Sequence, residues 1–568
     1  MIVDGYVDEP TCLGVPPYMS TYPRYIAGAI WTCSPHTEVV YQTIDQVRIS
    51  FDSARRLWSS ADMVILIAGM IVPGKYLGGT PISVNEARTL FSDPRLESVP
   101  KLLVGPWARF GCGVEGGRVA LSADTLSPPF DYIVKGDAEI VLSESLRSGS
   151  ALDSLDLSVT RSSPSEVETF AVKGSAIVKQ APGFHRGHVI CEIETYRGCP
   201  RFLTGGCSFC TEPLYGSPQQ RQINCIVEEI EALYASGIRA FRIGRQADLF
   251  TYGSKQMGDE EYPRPEPAVI EELFSKTRRV APDLSVLHID NVNPGTIARH
   301  PEESREVAKA IMRYHTPGDV AALGVESADP EVVRRNNLKA TPEEALEAIA
   351  LLNEVGSTRP GRGLPHLLPG VNFVYGLPGE SRATADHNMV FLTEVLRRGL
   401  LLRRINIRQV IGFPQTRVAS EKVRGLKHNE FFRHKEEVRR MIDIPMLRRV
   451  APLGTVIRSV FAEQQEGNNY LLRPLASYPL LCHMPMGSGT IDTMDVFVVD
   501  HGPRSVTVLP YPFDIKTATM SQLEMIPGIG AKRAARIKSH SPATITELER
   551  LIECKVPDWL SESLVFGS

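Results

Sequence analysis

Alternating apolar runs and amphipathic stretches divide the first 150 residues into strands and helices. The apolar run 63–72 predicts a buried parallel strand, and shorter strands are predicted to start at Lys101 and Phe130. Helical stretches begin at Asn85 and Ile140. This order predicts a doubly wound α/β domain over residues 1–150. A Ser-rich stretch follows, and we interpret 151–187 as a linker with a hairpin over 171–180, turning at Lys173 and Gly174.

Six further strand-like runs follow, most of them separated by helical stretches, at 189–195, 240–244, 284–289, 320–324, 370–375 and 405–410. Thr341 and Glu344 predict a capping box at the start of one of the intervening helices. Repeated strand-then-helix units give a parallel sheet, so we predict a partial (β/α)6 barrel over 188–450. Such barrels carry their active sites where the strands end.

The last part of the chain has a different pattern. Short β-like runs at 456–460, 495–499 and 506–509, with Gly and Pro turns between them, predict a small all-β module of OB or TRAM type over 451–515. Residues 516–568 predict short helices around the turn Ile526-Pro527-Gly528-Ile529-Gly530. The fold class is therefore α/β, with two small C-terminal units.

Composition narrows the function classes. The 568 residues exceed one domain, and the net charge of −4 gives no general case for nucleic-acid binding, which must rest on a local patch. The longest apolar run is shorter than the ~18 residues of a membrane span, so we expect no membrane partner. The first residues show no secretory signal, and ten cysteines are too few for a disulfide framework, so we expect a cytoplasmic protein.

Three cysteines near the middle of the chain form the strongest chemical signal. Cys207 and Cys210 make a CxxC pair, and Cys199 lies eight positions before Cys207, directly after the first predicted barrel strand. Three thiolates with no fourth close behind suit a metal centre with one open position. The alternative is a closed zinc site, with His288 or Cys191 as the fourth ligand.

With these motifs in this order, the chain resembles the radical S-adenosylmethionine (SAM) superfamily. The familiar motif CxxxCxxC is present with a longer first gap, and Phe209 matches the aromatic residue common before the last cysteine. Gly324-Val325-Glu326-Ser327 and Gly376-Leu377-Pro378-Gly379-Glu380 resemble the methylthiotransferase-like branch. The resemblance implies an enzyme with a [4Fe–4S] cluster on the three cysteines, SAM, and an electron donor such as ferredoxin or flavodoxin. The implied SAM-binding residues are Gly244, Gln246, Asp248, Glu326 and Ser327.

The first domain resembles those that precede some radical SAM barrels, including cobalamin-binding ones. The Asp-x-His-x-x-Gly signature of cobalamin binding is absent from it, so we do not expect cobalamin bound in that mode. Cys12, Cys33 and Cys112 are candidates for a second cluster, and buried thiols are the alternative.

The C-terminal turn closely resembles a helix-hairpin-helix, and the chain as a whole resembles archaeal-type radical SAM proteins that end in this motif. Its glycines permit a tight turn whose backbone N–H groups face an anion such as a nucleic-acid phosphate. The predicted nucleic-acid-binding residues are Gly528, Gly530, Lys532, Arg533 and Arg536. The alternative is a helical packing module that contacts protein.

Three functions follow from these predictions. The first is a radical SAM enzyme that modifies RNA, with tRNA as the first candidate. The second is a radical SAM enzyme that acts on a protein or a small molecule. The third is a metal-stabilised nucleic-acid-binding protein without catalysis. The sequence does not identify the reaction that would follow radical formation.

Overall fold

The structure, a computed structural model, describes residues 1–9, 12–70, 79–113, 115–421, 426–487 and 492–567. In the first 187 residues the strands are β1 (Ile2–Asp4), β2 (Asp8–Glu9), β3 (Cys12–Leu13), β4 (Tyr18–Met19), β5 (Tyr41–Thr43), β6 (Val64–Ile67), β7 (Lys101–Val104) and β8 (Tyr132–Ile133). The helices are α1 (Thr21–Cys33), α2 (Ile44–Ile49), α3 (Phe51–Ser59), α4 (Val84–Phe91), α5 (Pro106–Phe110), α6 (Ala138–Ser148) and α7 (Ser165–Gly174).

The N-terminal sheet is parallel throughout and has the strand order β5-β1-β6-β7-β8. Counted along the chain this is the order 2-1-3-4-5 of a common doubly wound fold, as the alternating pattern predicted. The predicted strand 63–72 contains β6, and its last two residues lie outside the described residues. The strand β4 pairs instead with the central sheet, so the chain crosses between the two units early.

The prediction of a linker with a hairpin at 171–180 was wrong. Helix α7 ends at Gly174, and a 3-10 helix, Ser175–Gln180, follows it directly. A side chain at Gly174 would meet the Arg24 carbonyl, and one at Gly28 would meet the backbone of Phe170. The glycine read as a turn signal therefore allows α7 to pack closely against α1.

The central unit contains nine strands: β9 (Ile190–Glu194), β10 (Tyr196–Arg197), β11 (Gln219–Gln220), β12 (Ala240–Arg245), β13 (Val286–Ile289), β14 (Asn291–Val292), β15 (Asp319–Glu326), β16 (Leu367–Tyr375) and β17 (Arg404–Gln409). Its helices are α8 (Ile223–Ala235), α9 (Pro267–Val280), α10 (Pro294–Arg299), α11 (Pro301–Tyr314), α12 (Pro330–Arg335), α13 (Pro342–Gly356), α14 (Arg382–Arg397), α15 (His428–Val438) and α16 (Ile444–Val450). A π-helical turn, Arg439–Asp443, joins the last two.

These strands form two parallel sheets, β4-β9-β12-β13 and β14-β15-β16-β17. Only Asp290 separates β13 from β14, and each of the six predicted strands is present. Tyr478 donates a hydrogen bond to Asp290, and its ring lies 3.6 Å from the Arg404 guanidinium on the last strand. Asp290 also pairs with Arg242 of β12, so Tyr478 links the last strand of the second sheet to the first sheet. The predicted capping box of Thr341 and Glu344 is present at α13.

Residues 451–510 form a closed five-stranded barrel of β18 (Val456–Glu466), β19 (Asn469–Pro474), β20 (Leu481–Pro485), β21 (Thr493–His501) and β22 (Ser505–Pro510). The strand order is β18-β19-β20-β22-β21, and β20 and β22 are its one parallel pair among the described residues. The predicted runs correspond to β18, β21 and β22, while β19 and β20 were missed.

The tail comprises β23 (Phe513–Asp514), α17 (Met520–Glu524), α18 (Ala531–His540), α19 (Ile545–Ile552), α20 (Asp558–Ser561) and β24 (Leu564–Val565). Phe497 and Leu509 of the small barrel share one apolar cluster with Ile529 and Leu548 of the tail. The two C-terminal units therefore pack as one body. No helix among the described residues has the length and apolar character needed to cross a bilayer.

The small barrel closes the amino-terminal end of the central sheet. Leu475, in the loop between β19 and β20, packs against Ile190, Ala240 and Val286 at the starts of three strands. This leaves the carboxyl ends of the strands, where the cysteines lie, on the opposite side.

Candidate metal centre

The three central cysteines lie in a loop between β9 and α8. Cys207 is 5 % exposed, and Cys199 and Cys210 are partly buried. Burial raises the pKa of the Cys199 thiol to about 12, and burial together with the neighbouring Cys207 and Cys199 raises the pKa of Cys210. The thiols are therefore near neighbours in a medium that disfavours bare thiolates, which a bound cationic metal centre would stabilise.

Among the described residues, no three His, Cys, Asp or Glu side chains are arranged to hold a single metal ion. This arrangement does not argue against a cluster. Each cysteine of a cubane cluster binds a different iron, so its ligands stand further apart than those of one ion. The donor set of three cysteines suits a [4Fe–4S] cluster with one open iron.

The two residues proposed to complete a zinc site are placed elsewhere. His288 Nδ1 accepts a hydrogen bond from Ser477 N–H at 3.1 Å, at the closed end of the sheet. Cys191 is buried beside Arg24 and Glu229. Cys191 lies within β9 and His288 within β13, whereas the cysteine loop follows the carboxyl end of β9. The structure therefore does not bring either residue to the cysteine loop.

Glu326 and Lys339 face the cysteines from the neighbouring strand end. Glu326 ends β15 with φ of 64°, a left-handed conformation that costs about 1 kcal/mol in a residue with a side chain. A side chain at Gly324 would collide with both Glu326 Oε1 and Lys339 Nζ, so these two groups lie together over that glycine. Burial opposes the charge of Lys339, but Glu326 and the three cysteines raise its pKa above the ordinary value.

The other predicted SAM-binding residues make contacts within the protein. Gln246 Nε2 donates to Ile243 O at 2.9 Å, and Gln246 Oε1 accepts from Thr195. Asp248 accepts from Thr296 Oγ1 at 2.7 Å and from Phe250 N–H at 3.1 Å, and burial raises its pKa to about 6. Ser327 Oγ accepts from Asp329 N–H. A side chain at Gly244 would collide with Glu192 and Arg242. These residues shape the strand ends.

Arg201 is a site residue that sequence reasoning missed. It is 2 % exposed, and its Nη1 lies 3.3 Å from Cys207 Sγ, where it donates a hydrogen bond. It also pairs with Glu261 at 2.8 Å and donates to Asn337 O at 2.9 Å. A buried cation that donates to a ligand sulfur influences the reduction potential of a cluster.

The segment 336–339 was also missed, and it holds the cysteine loop in place. Asn336 accepts from Ser208 Oγ at 2.6 Å and donates to Pro378 O at 2.7 Å. Asn337 Nδ2 donates to Gly206 O at 3.1 Å. The contacts of the segment 336–339 link the cysteine loop to the turn 376–380 and place Lys339 near that loop. Only the local signal of two adjacent asparagines before a lysine could have indicated it.

Apolar side chains surround the loop. Cys207 packs in a cluster with Val332, Leu338 and Leu377, and Phe209 lies against it. Such packing excludes water from the cysteine loop.

The N-terminal unit contacts the same loop through Asp137. Its carboxylate accepts from Arg197 Nη1 at 2.7 Å and from Arg161 N–H at 2.7 Å. Although burial opposes it, the charges of Arg197 and Arg161 hold the pKa of Asp137 below its ordinary value. Since Arg197 precedes Cys199 by two residues, the loop is tied to the first unit by a buried ion pair.

Comparison with known proteins decides the family. The radical SAM superfamily model matches residues 193–391, a range that includes the cysteine loop and the turn at 376–380. The chain therefore carries a radical SAM superfamily domain over these residues. It is an enzyme, and its cofactors are a [4Fe–4S] cluster and SAM.

Two archaeal relatives match almost the whole radical SAM chain. The uncharacterized protein MJ0274 of Methanocaldococcus jannaschii is 44 % identical over 517 residues, which cover 89 % of this chain and 92 % of the relative. An uncharacterized protein of Archaeoglobus fulgidus is 43 % identical over 530 residues, 93 % of each chain.

Solved structures show a weaker likeness. The radical SAM methyltransferase TsrM of Kitasatospora setae, with tryptophan and a SAM analogue bound, matches with a TM-score of 0.45 at 16 % identity, covering 74 % of each chain. The cobalamin-dependent SAM radical enzyme OxsB matches with a TM-score of 0.46 at 12 % identity, covering 69 % of this chain and 51 % of OxsB. Both scores are under 0.5, so they bear on neither the cofactors nor the reaction of this enzyme.

The candidate cysteines for a second cluster are not brought together where they are described. Cys33 Sγ contacts Ser143 O at 3.6 Å, beside α6. Cys112 is buried in a separate apolar core with Trp107 and Leu126, where burial raises its pKa to about 12. The side chain of Cys12 lies outside the described residues. The separation of Cys33 from Cys112 supports the alternative of buried thiols.

Of the predicted nucleic-acid-binding residues, Gly528 and Gly530 lie in the turn between α17 and α18, and Lys532, Arg533 and Arg536 lie on α18. Gly528 has φ of 86°, and a side chain at Gly528 or Gly530 would meet nothing within contact distance. No side chain caps the start of α18. Lys532 is exposed, Arg533 donates to Gly528 O at 2.7 Å, and Arg536 pairs with Glu553 at 2.8 Å. The turn therefore presents open backbone and one uncommitted lysine.

Proposed function

We propose that this radical SAM enzyme modifies a nucleic acid, with tRNA as the first candidate substrate. The observation that carries the proposal is the C-terminal body. In it, a five-stranded barrel shares one core with a tail whose helices α17 and α18 are joined by a tight turn. Both parts have a known physical use in binding polynucleotides.

The cofactors supply the difficult step. When bound, a reduced [4Fe–4S] cluster and SAM yield a 5′-deoxyadenosyl radical through cleavage of the sulfonium C–S bond. Cys199, Cys207 and Cys210 would hold three irons, and Arg201 would donate to the Cys207 sulfur. The Glu326 carboxylate would accept hydrogen bonds from ribose hydroxyls. Phe209 and its apolar neighbours would exclude water.

The tail supports an RNA substrate through its turn. The exposed Gly528 and Gly530 and the uncapped start of α18 present N–H groups to an anion, and Lys532 adds positive charge. These features support the proposal of a helix-hairpin-helix that binds phosphate. Such contacts give affinity without sequence preference and weaken as salt rises.

The small barrel supports the same substrate through its topology. Its order, 1-2-3-5-4 with the third and fifth strands parallel, is that of an OB fold. OB folds bind oligonucleotides on the face of their second and third strands, here β19 and β20. A polynucleotide held there and at the tail would be positioned relative to the radical SAM unit.

Two strand-end motifs support a methylthiotransferase-like arrangement of the SAM site. Glu326 and Ser327 end β15, and the glycines of 376–380 turn after β16 with φ of 87° at Gly376 and 88° at Gly379. Glu380 accepts from Gly376 N–H and closes that turn. The placement of Cys33 and Cys112 does not favour the second cluster that sulfur insertion would use.

The test measures 5′-deoxyadenosine made anaerobically from SAM by the reconstituted, reduced protein, with and without bulk tRNA. We expect formation by the wild type, faster with tRNA, and none by the C199A/C207A/C210A variant. The K532E/R533E variant should retain the basal rate and lose the stimulation. Its matched control, R147E/K173E, reverses two exposed cations of the N-terminal unit and should behave as wild type.

Two outcomes would contradict this proposal. If tRNA did not change the rate of 5′-deoxyadenosine formation, a protein or a small molecule would become the leading substrate. If a protein with a confirmed reduced cluster formed no 5′-deoxyadenosine, the proposal that it cleaves SAM would be contradicted.

A further inference from the structure

A cavity of about 310 Å³ lies between the start of β17 and the small barrel. One wall is formed by residues 402–406 and by α16 with the turn before it. The other is formed by the β19–β20 loop and the β21–β22 loop. It lies toward the amino end of β17, so it is distinct from the cysteine site at the carboxyl ends.

The lining of this cavity is strongly cationic. It contains four arginines and one acidic residue, Asp443. The arginines are Arg403, Arg404, Arg473 and Arg504. Arg473 pairs with Glu463 at 3.0 Å, while Arg504 lies 4.0 Å from Asp443.

Two of these arginines have no carboxylate partner within the described residues. Arg403 Nη2 donates to Tyr478 O at 2.8 Å, and Arg404 stacks on the Tyr478 ring and donates to Asn372 Oδ1 at 3.3 Å. The Nε atoms of both are buried and lack a hydrogen-bond partner among the described residues. Burial lowers the pKa of Arg403 to about 10, and Arg404 and Arg504 lower it as well.

Arg403 and Arg404 are partly buried at the cavity wall, and the fully buried arginines of the described residues differ from them in their partners. The seven arginines in the described core each pair with a carboxylate: Arg24, Arg161, Arg197, Arg201, Arg221, Arg242 and Arg245. Since a charge in a partly desolvated pocket is stabilised by a counter-ion, an anion in the cavity would stabilise Arg403 and Arg404.

We propose that this cavity binds a phosphate group, carried by a nucleotide-sized ester or by an RNA backbone. Guanidinium groups match phosphate oxygens with paired N–H donors, and Arg403, Arg404 and Arg504 converge from two units of the protein. The volume exceeds that of inorganic phosphate and lies at the lower end of small-ligand sites. The inference stands independently of the proposed RNA-modifying reaction.

The neighbouring surface suits a longer polyanion. A second groove, lined by Arg433, Arg439 and Arg440, adjoins the cavity at Pro503. Glu436 and Glu437 also line it, and Glu436 pairs with Arg439 at 2.9 Å, so the groove has one more cation than it has acids. The test therefore includes a short RNA as one of its probes.

The experiment is calorimetric titration of the full chain with pyrophosphate, AMP and a short oligoribonucleotide. We expect at least one probe to bind and R504Q to weaken it about tenfold, as loss of a charge-assisted hydrogen bond predicts. Arg504 is about half exposed with one distant carboxylate, so R504Q should fold, which thermal unfolding verifies. D443N, which removes a competing carboxylate, should tighten binding.

The control is R448Q, which removes an exposed arginine of α16 outside the lining and should leave binding unchanged. Weakening of pyrophosphate or AMP by R504Q and R403Q supports a free phosphate ester, and weakening of the oligoribonucleotide alone supports an RNA phosphate. The proposal is overturned if no probe binds, or if R504Q and R403Q bind every probe as well as R448Q does.

Discussion

Arg201 shows how a single residue connects the fold to the chemistry of the cysteine loop. Its guanidinium contacts Cys207 Sγ, Glu261 and the Asn337 carbonyl, so one buried side chain touches a proposed cluster ligand and two elements around it. A cation beside the cluster favours the reduced state, which carries one more negative charge.

We therefore predict that R201M lowers the reduction potential of the reconstituted cluster, on the order of 60 mV for a tenfold change in a one-electron couple. A redox titration followed by electron paramagnetic resonance measures it. E261Q is the matched control, because it breaks the ion pair but keeps the hydrogen bond to sulfur. An unchanged potential in R201M would limit Arg201 to a structural role.

Asp4 provides a pH-dependent prediction away from that site. It is fully buried, accepts from Tyr6 N–H at 2.9 Å and Tyr41 Oη at 2.8 Å, and burial raises its pKa to about 6. An acid whose folded pKa is raised stabilises the fold below the unfolded value, near 4, and loses that contribution as pH rises to 6.

The free energy of unfolding of the wild type relative to D4N should therefore fall by about 3 kcal/mol between pH 4 and pH 7. Chemical denaturation at several pH values measures this difference. A difference that is constant with pH would show that the pKa of Asp4 is not raised in the folded protein.

At this scale the sequence predicted the cysteines but not their partners. Cys199, Cys207 and Cys210 are close in sequence, so spacing alone indicates a shared site. Arg201 is inside the same loop, yet nothing in its sequence context shows that it turns toward sulfur. Lys339 lies more than a hundred residues away, and its position depends on the turn at Asn336 and Asn337.

At the scale of elements, strand prediction succeeded where apolar runs were buried on both faces. Five of the six central strands have such runs, and β17, with alternating burial, was also predicted. The strands β19 and β20 of the small barrel are short and partly exposed, and they were missed. The hairpin at 171–180 failed because Gly174 indicates a turn in sequence but serves helix packing in the fold. Local propensity carries no information about which backbone approaches a glycine.

The packing of α1 against α7 can be tested at Gly28. A Cβ there would meet the Phe170 carbonyl, so the helices must separate or shift. We expect G28A to lower the free energy of unfolding by about 1–3 kcal/mol, as overpacking does. Thermal or chemical denaturation measures it.

G530A is the control, because a Cβ at that glycine meets nothing. It should lower stability by no more than about 1 kcal/mol, the ordinary cost of alanine at an N-cap position. Equal effects of G28A and G530A would contradict close packing of the two helices.

At the scale of the whole molecule, the loop 358–366 joins the central unit to the C-terminal body. Its arginines and prolines gave no site assignment from sequence, and its position before β16 predicted only that it lies away from the cysteines. In the structure Arg362 donates to Gly454 O, Trp559 O and Ser563 Oγ, each at 2.7 Å. Arg359 donates to Val450 O at 2.8 Å. Arg362 therefore ties the C-terminal body to the central unit, while Arg359 holds the same loop against α16.

This arrangement separates radical formation from substrate positioning. R362M would leave the Gly454 carbonyl without its Arg362 donor and would remove one of two donors to the Trp559 carbonyl, which costs about 1–3 kcal/mol at a partly buried contact. The cysteine loop lies at the other end of the strands, so tRNA-independent formation of 5′-deoxyadenosine should be unchanged. Stimulation by tRNA should fall, because the C-terminal body would no longer hold the polynucleotide in one orientation.

R334Q, in an exposed ion pair with Glu331, is the control. Equal losses of basal and stimulated rates in R362M would show that the C-terminal body supports the fold of the central unit rather than substrate placement.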